Sequence, residues 1–268
     1  MMKHILNRNA GNTNHCFVFF LEICRVYFWT CFIKTRRTAL LAQALMEIIL
    51  PDCLKLTNVH RIGTDLAVLT FQDPDIMLFT DAVVDYIKNG NHLKYDQQSM
   101  DQRGRPCTHS RGEGFFVCKG SGVVSYKIGK TDMLGVGMPD CMHALLNKVN
   151  TFVTSDFNAV FVNHYRNNKD GIPFHFDKGV DKDKLIGVFG VSWGGSRILK
   201  FHPIDSHNTA LRKQSIRTGH GEALLMYGKG FQTKIKHGIS KCKTSSGERF
   251  SFTFRSHNET DSKKRKRD

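Results

Sequence analysis

Residues 249–255, RFSFTFR, alternate polar and aromatic side chains at every step, and a run of period two leaves few backbone conformations open. Along a strand successive side chains point to opposite faces. Arg249, Ser251, Thr253 and Arg255 therefore share one face, and Phe250, Phe252 and Phe254 share the other. Further short segments precede it, NAVFVNHY, KLIGVFGVSW, RILKFHP, EALLMYG and IKHGI, separated by glycine and polar turns. Short strands so spaced predict a β sandwich or barrel in the second half of the chain. Helices come before it. DIMLFTDAVVDYIK (75–88) has helical spacing with Asp at its start, and PDCMHALLNKVNTFV begins at Pro139, which suits a first helical turn. Residues 101–122, DQRGRPCTHSRGEGFFVCKGSG, read as loops around one short strand.

Composition narrows the partners. The chain of 268 residues has 40% hydrophobic and 10% aromatic residues, enough for one buried core with extensions. Its eight cysteines are irregularly spaced with no CxxC pair, so they read as reduced thiols in the cytosol or nucleus and not as a zinc or disulfide framework. The formal charge is +15; the tail DSKKRKRD contributes +3 and leaves +12 elsewhere. Clustered Lys and Arg displace counterions from phosphate backbones, so the charge points to a polyanionic partner, with plain solubility as the alternative. Residues 16–33, CFVFFLEICRVYFWTCFI, are long enough to span a bilayer, but Glu22 and Arg25 sit near the centre. There each costs about 2.5–3.5 kcal/mol on insertion scales. No small-residue cleavage site follows, which argues against a signal peptide. A buried helix or an appendage fits better than a membrane anchor. The change of character at Met46 also raises a translation start there, which an intact natural mass containing residues 1–45 would reject.

In IPFHFDK, His175 and Asp177 stand at i and i+2 and share a strand face, opposite Phe174 and Phe176. A histidine from another strand, His237 in IKHGISK, supplies a third ligand. Two imidazoles and one carboxylate on one face of an octahedral ion leave three positions open, the donor set of non-haem Fe(II) oxygenases. His-x-Asp also occurs on surfaces without any catalysis. The two arginines of RFSFTFR are costly inside a barrel unless a carboxylate or phosphate meets them, and a guanidinium matches a carboxylate fork to fork. Asn163 and Tyr165 share a face by the same period. Taken singly, each of these strands reads better as an amphipathic edge strand with a solvated polar face.

Together, over roughly residues 139–255, these segments resemble the AlkB family of Fe(II)- and 2-oxoglutarate-dependent dioxygenases. FNAVFVNHYRNNKDGIPFHFDKG looks like the family's N-x-Y and H-x-D segments. GVFGVSWGGSRILKF looks like its serine- and glycine-containing strand. GEALLMYGKGFQTKIKHGISK looks like its L-L-x-M-x-G and distal-histidine segment, and ERFSFTFR like its closing R-x-(N/S)-x-T-x-R. The resemblance implies an α+β fold, a double-stranded β-helix (jelly-roll) core with supporting N-terminal helices. It implies His175, Asp177 and His237 as iron ligands, and Arg249 as the partner of the far carboxylate of 2-oxoglutarate, helped by Asn163 and Tyr165. Arg255 takes the second arginine position, near cosubstrate and substrate, and Ser251 stands where many members have Asn. The implied cofactors are Fe(II), 2-oxoglutarate and O2. The implied reaction is oxidative demethylation of alkylated bases such as 1-methyladenine or 3-methylcytosine in DNA or RNA, releasing formaldehyde, succinate and CO2. A flipped base would enter the pocket, and damaged bases cost least to extrude.

Substrate recognition departs from the family. Its acidic residue two positions after the motif aspartate is Gly179 here, with Asp181 or Asp183 as substitutes if the loop folds back. A nucleotide-recognition lid corresponds to about residues 100–135. Residues 103–130 hold six Lys or Arg and one Glu, with Phe115, Phe116 and Tyr126 for stacking and Tyr126 the best single candidate; a basic loop with buried aromatics is the alternative. The expected organisation is an extension at 1–45, helices and lid at 46–138, the dioxygenase core at 139–256 and a basic tail at 257–268. KKRKR (263–267) reads as a nuclear localisation signal or a nucleic-acid grip, placing the chain in the nucleus, with the cytoplasm also open to it. The partner is DNA or RNA; no obligate protein partner, membrane or oligomer is implied. Two other classes stay in view: the same chemistry on a protein or small molecule, and a nucleic-acid-binding module without turnover.

Overall fold

The structure is a computed structural model that describes residues 55–100, 104–122, 125–128, 131–205, 207–244 and 247–257. The extension at 1–45, Met46 and the KKRKR tail lie outside the described residues. Among the described residues, no helix is long and apolar enough to cross a membrane.

Strands β1 (Lys55–Arg61) and β2 (Ala67–Gln72) form a hairpin and lead into α1 (Pro74–Lys88). Helix α1 starts where the Asp73 side chain accepts the Ile76 N–H at 2.9 Å, with Pro74 in the first turn, where its missing N–H costs nothing. Then come β3 (Gln97–Met100), β4 (Pro106–His109), β5 (Gly112–Val117), β6 (Ser125–Ile128), β7 (Thr131–Leu134) and β8 (Val136–Gly137). Helix α2 (Asp140–Val153) follows; Pro139 is its N-cap and not, as the sequence suggests, a residue of its first turn. The remainder is β9 (Ala159–Tyr165), β10 (Ile172–His175), β11 (Ile186–Gly194), β12 (Arg197–Pro203), β13 (Gln214–Thr218), β14 (Glu222–Tyr227), the single turn α3 (Phe231–Lys234), β15 (Ile235–Ile239) and β16 (Arg249–Arg255).

Twelve of these strands make two facing sheets, and β3-β4 and β6-β7 pair separately as two-stranded ribbons. The larger runs β1-β2-β14-β11-β16-β9-β5-β8 and the smaller β10-β15-β12-β13. Strand neighbours distant in sequence, such as β16 between β11 and β9, give the jelly-roll arrangement. Val68, Val188, Leu224 and Met226 of the larger sheet pack with Leu199, Phe201, Ile216 and Ile235 of the smaller to form the core between them. The phenylalanines of β16 face the other way. Lys88, at the end of α1, lies 5.7 Å from the Phe250 ring, and α1 packs on α2 and against β11. The polar face of β16 is thereby turned between the sheets.

The larger sheet also takes four strands from before residue 139, namely β1, β2, β5 and β8. The short strand expected among the loops is β5, GEGFFV, buried along its whole length. Phe115 and Phe116 are thus interior side chains and not stacking surfaces. Alternation could not show this, because a strand covered on both faces has no polar side.

Candidate metal centre and cosubstrate pocket

Strands β10 and β15 pair antiparallel with His175 opposite His237, so two residues 62 apart in sequence meet across one rung. Gly238 makes that approach possible. A Cβ there would lie 2.9 Å from the Ile172 carbonyl oxygen, inside any ordinary contact, so a larger residue would push β10 away. Asp177 follows β10, and its backbone N–H donates to the Gln232 side chain at 2.9 Å, tying it to α3. The result is a compact trio. His175 Nε2 is 3.7 Å from Asp177 Oδ1, His237 Nε2 is 3.4 Å from Asp177 Oδ2, and the donor atoms of all three lie within 4.8 Å of one another.

The protonation states suit a cation. His175 Nδ1 is 2.9 Å from the Pro173 carbonyl oxygen, so it carries the proton and leaves the Nε2 lone pair toward Asp177 and His237. Burial lowers the pKa of His175, and His237 beside it lowers it further. Burial likewise lowers His237. Burial alone would raise Asp177, but the Arg255 guanidinium, in direct contact, and the two imidazoles outweigh it, and the carboxyl is held below its ordinary range. Two neutral imidazoles and an ionised carboxylate are what a divalent ion requires.

The same cavity, about 50 Å³, is lined at its other end by β16 and β9. Their register sets Arg249 beside Tyr165 and Ser251 beside Asn163. Arg249 is 1% exposed. Its Nη2 donates to Ser192 Oγ at 2.8 Å and Thr218 Oγ1 at 3.2 Å, while Nε and Nη1 have no hydrogen-bond partner. Burial lowers its pKa against an opposing effect of Tyr165, whose ring centre lies 5.3 Å from the guanidinium. A buried guanidinium with two unused donors is costly unless an anion meets it. Asn163 Oδ1 accepts from Arg111 Nε at 2.7 Å, and Arg111 is itself paired with Glu113, buried beside it on β5. Arg255 pairs with Asp177 through Nη2, with Nε and Nη1 unpartnered.

Sequence reasoning did not single out Ser192, Thr218, Arg111 or Gln232. Ser192 sat within the SW segment already quoted, but for the other three no local signal exists, because their roles come from strands and turns far away in sequence. Tyr126 is only 7% exposed. Its ring packs 4.8 Å from the Arg255 guanidinium and its hydroxyl accepts the Lys178 N–H at 3.3 Å, so it braces Arg255 and offers no open face for stacking. Gly179 has φ +72°, and a Cβ there would lie 2.5 Å from His257 Nδ1, so an imidazole fills the space of a side chain. Asp181 spends Oδ1 on the Asp183 N–H at 2.9 Å, within its own loop.

A metal trio and a carboxylate-seeking arginine opening on one cavity match what one protein family is built around. The family model of the 2OG-Fe(II) oxygenase superfamily matches residues 84–255. The chain belongs to the 2OG-Fe(II) oxygenase superfamily. Its members use Fe(II), 2-oxoglutarate and O2, and the residues present fit both groups: the His-Asp-His donors suit the ion, and the unpartnered Arg249 nitrogens suit a carboxylate. Among curated proteins, the chain is 31% identical over 129 residues to the uncharacterised protein R406 of Acanthamoeba polyphaga mimivirus; this covers 47% of the chain and 63% of that protein, somewhat under two thirds of the relative's length. Among solved structures, one described as "The structure of OsALKBH1" matches with 15% identity and a TM-score of 0.46, covering 76% of this chain and 100% of that one. That match is too loose to bear on substrate.

Proposed function

We propose that this chain is an Fe(II)- and 2-oxoglutarate-dependent dioxygenase of the AlkB type that oxidatively demethylates alkylated bases in DNA or RNA. One observation carries the chemistry: the His175, Asp177 and His237 donors and the unpartnered nitrogens of Arg249 open on the same buried cavity. The motif resemblance and the basic charge carry the substrate class. When bound, iron with 2-oxoglutarate and O2 supplies the oxidising power, converting 2-oxoglutarate to succinate and CO2 and placing one oxygen atom on the substrate methyl group.

The chain's own residues do the rest. His175, Asp177 and His237 hold the ion on one face, with tautomer and charge already set. Arg249 receives the far carboxylate, held in aim by Ser192 and Thr218, while Asn163, its oxygen spent on Arg111, presents its amide N–H to the cavity. Tyr165 and Ser251 shape the wall beside it. Arg255 holds Asp177 and keeps two donors for an incoming group. An N-hydroxymethyl product then loses formaldehyde, and the base is restored. The basic tail supports a nuclear site of action; a tagged chain that stays cytosolic with its tail intact would count against it.

The test is succinate release with Fe(II) and ascorbate, comparing a 1-methyladenine or 3-methylcytosine oligonucleotide with its unmethylated twin and using His175→Ala as the blank. Stimulation by the methylated strand, lost in the variant, is the expected outcome. A second reading, the same chemistry on a protein or small molecule, is favoured by Gly179 and by the burial of Phe115, Phe116 and Tyr126. Succinate release that is lost in His175→Ala but indifferent to methylation would select it.

A further inference from the structure

The smaller sheet has a second face. Its inward residues, Leu199, Phe201, Ile216, Ile235 and Ile239, close the core. The alternate residues of the same strands point outward: Ile198, Lys200 and His202 on β12, Arg217 on β13, Lys236 on β15 and Phe174 on β10. Among the described residues no helix covers them, and Phe174, Ile198 and Arg217 are exposed. None of the four strands carries a carboxylate, and no ion pair is made by Lys200, Arg217 or Lys236 among the described residues. Lys213, exposed just before β13, adds to the same sign; burial first, then Lys213 and Lys200, lower the pKa of His202. Flat groups interleave with the cations. Phe174 stacks on His202 with ring centres 4.2 Å apart, and Lys236 lies 5.5 Å from the Phe176 ring.

We propose that this outer face of the four-stranded sheet binds the sugar–phosphate backbone of a nucleic-acid strand. The position supports that occupant: β10 and β15 carry His175 and His237 inward, while the residues just before them, Phe174 and Lys236, belong to the outer face. A strand lying there rests on the back of the two strands whose inner face holds the metal donors. Rows of unpaired cations with aromatic platforms suit a single strand, where cations track phosphates and rings accept bases. A second copy of the chain would set like charges against each other. The inference rests on the nucleic-acid reading above for its purpose, though not for the binding itself.

The experiment is fluorescence anisotropy of a labelled single-stranded oligonucleotide with the full chain across a salt series. Each phosphate contact on a single strand contributes about 0.7 to the slope of log affinity against log salt. K200Q/R217Q/K236Q should therefore be shallower by about two, with affinity down roughly tenfold or more near 0.1 M salt. R217Q alone, on an edge strand remote from the metal donors, should lose about 0.7 and guards against misfolding of the triple variant. The charge-matched K94Q/K229Q/K243Q, exposed elsewhere, should keep the full-chain slope. Equal losses in both triple variants would overturn the proposal, since binding would then follow total charge. Loss of binding to phosphatidylserine vesicles with oligonucleotide binding intact would overturn it in favour of a lipid surface. Methylation-stimulated succinate release that persists with unchanged slopes removes the surface and leaves the demethylase reading. Shallower slopes without any methylation response remove that reading and leave the surface.

Discussion

Arg249 and Arg111 are both buried, paired in different ways, and lead to different expectations. Arg249 keeps Nε and Nη1 without partners, so its two bonds to Ser192 and Thr218 offset only part of the cost of its burial until an anion arrives. Arg249→Met should cost roughly a hundredfold or more in kcat/KM for 2-oxoglutarate, as for a desolvated charge pair worth 2–5 kcal/mol. It should do so without lowering the melting temperature of the cosubstrate-free protein. A fall in melting temperature with kcat/KM unchanged would make Arg249 structural. Arg111 touches the cavity only through Asn163. Arg111→Lys keeps a cation for Glu113 but loses the Nε donor. It should raise KM for 2-oxoglutarate about fivefold, the equivalent of one hydrogen bond near 1 kcal/mol, with kcat little changed. A kcat loss at unchanged KM would refute that positioning role.

At the scale of elements, the site depends on how closely β10 and β15 approach. Gly238→Val places methyl groups against the Ile172 carbonyl and should separate His175 from His237. The expected result is at least a tenfold loss in Co(II) affinity, read by titration of the visible d–d band, with destabilisation of about 1–3 kcal/mol from overpacking. Wild-type affinity in this variant would show that the rung does not set the metal site. Most elements were legible from local pattern. α1 lies where its spacing places it, though its cap is Asp73, two residues before the Asp75 that the sequence offers as its start, and the period of RFSFTFR sorts β16 into a cavity face and a buried face. β5 was legible only as a short strand among loops, because burial on both sides erases alternation. Tyr126 was read as a platform because lid-like composition says nothing about the arginine that comes to rest on its ring.

At the scale of the whole molecule, buried imidazoles couple stability to pH. His257 is held down to about 4 from an ordinary 6.5 by burial and by the Arg255 guanidinium, and His175 and His237 are lowered as well. The unfolded chain therefore binds more protons than the folded one between pH 6.5 and about 4. Stability of the metal-free protein should be full above pH 6.5 and fall as pH drops toward 4, by on the order of a few kcal/mol in urea melts. His257→Phe should flatten part of that slope. A flat profile in the wild type would contradict the burial of these rings.

Sequence alone determined the strand-rich second half, the two helices before it, the His-x-Asp and distal histidine, and which side chains of each strand share a face. These follow from period and residue chemistry over a few neighbouring positions. Only the tertiary structure decided that His175 faces His237, that Arg255 clamps Asp177, that Arg111 aims Asn163, and that Lys200, Arg217 and Lys236 from three strands share one face with no carboxylate on those strands. Period two tells a side chain which way to point; the partner it meets there is chosen by strand pairing between segments tens of residues apart, which no local pattern encodes.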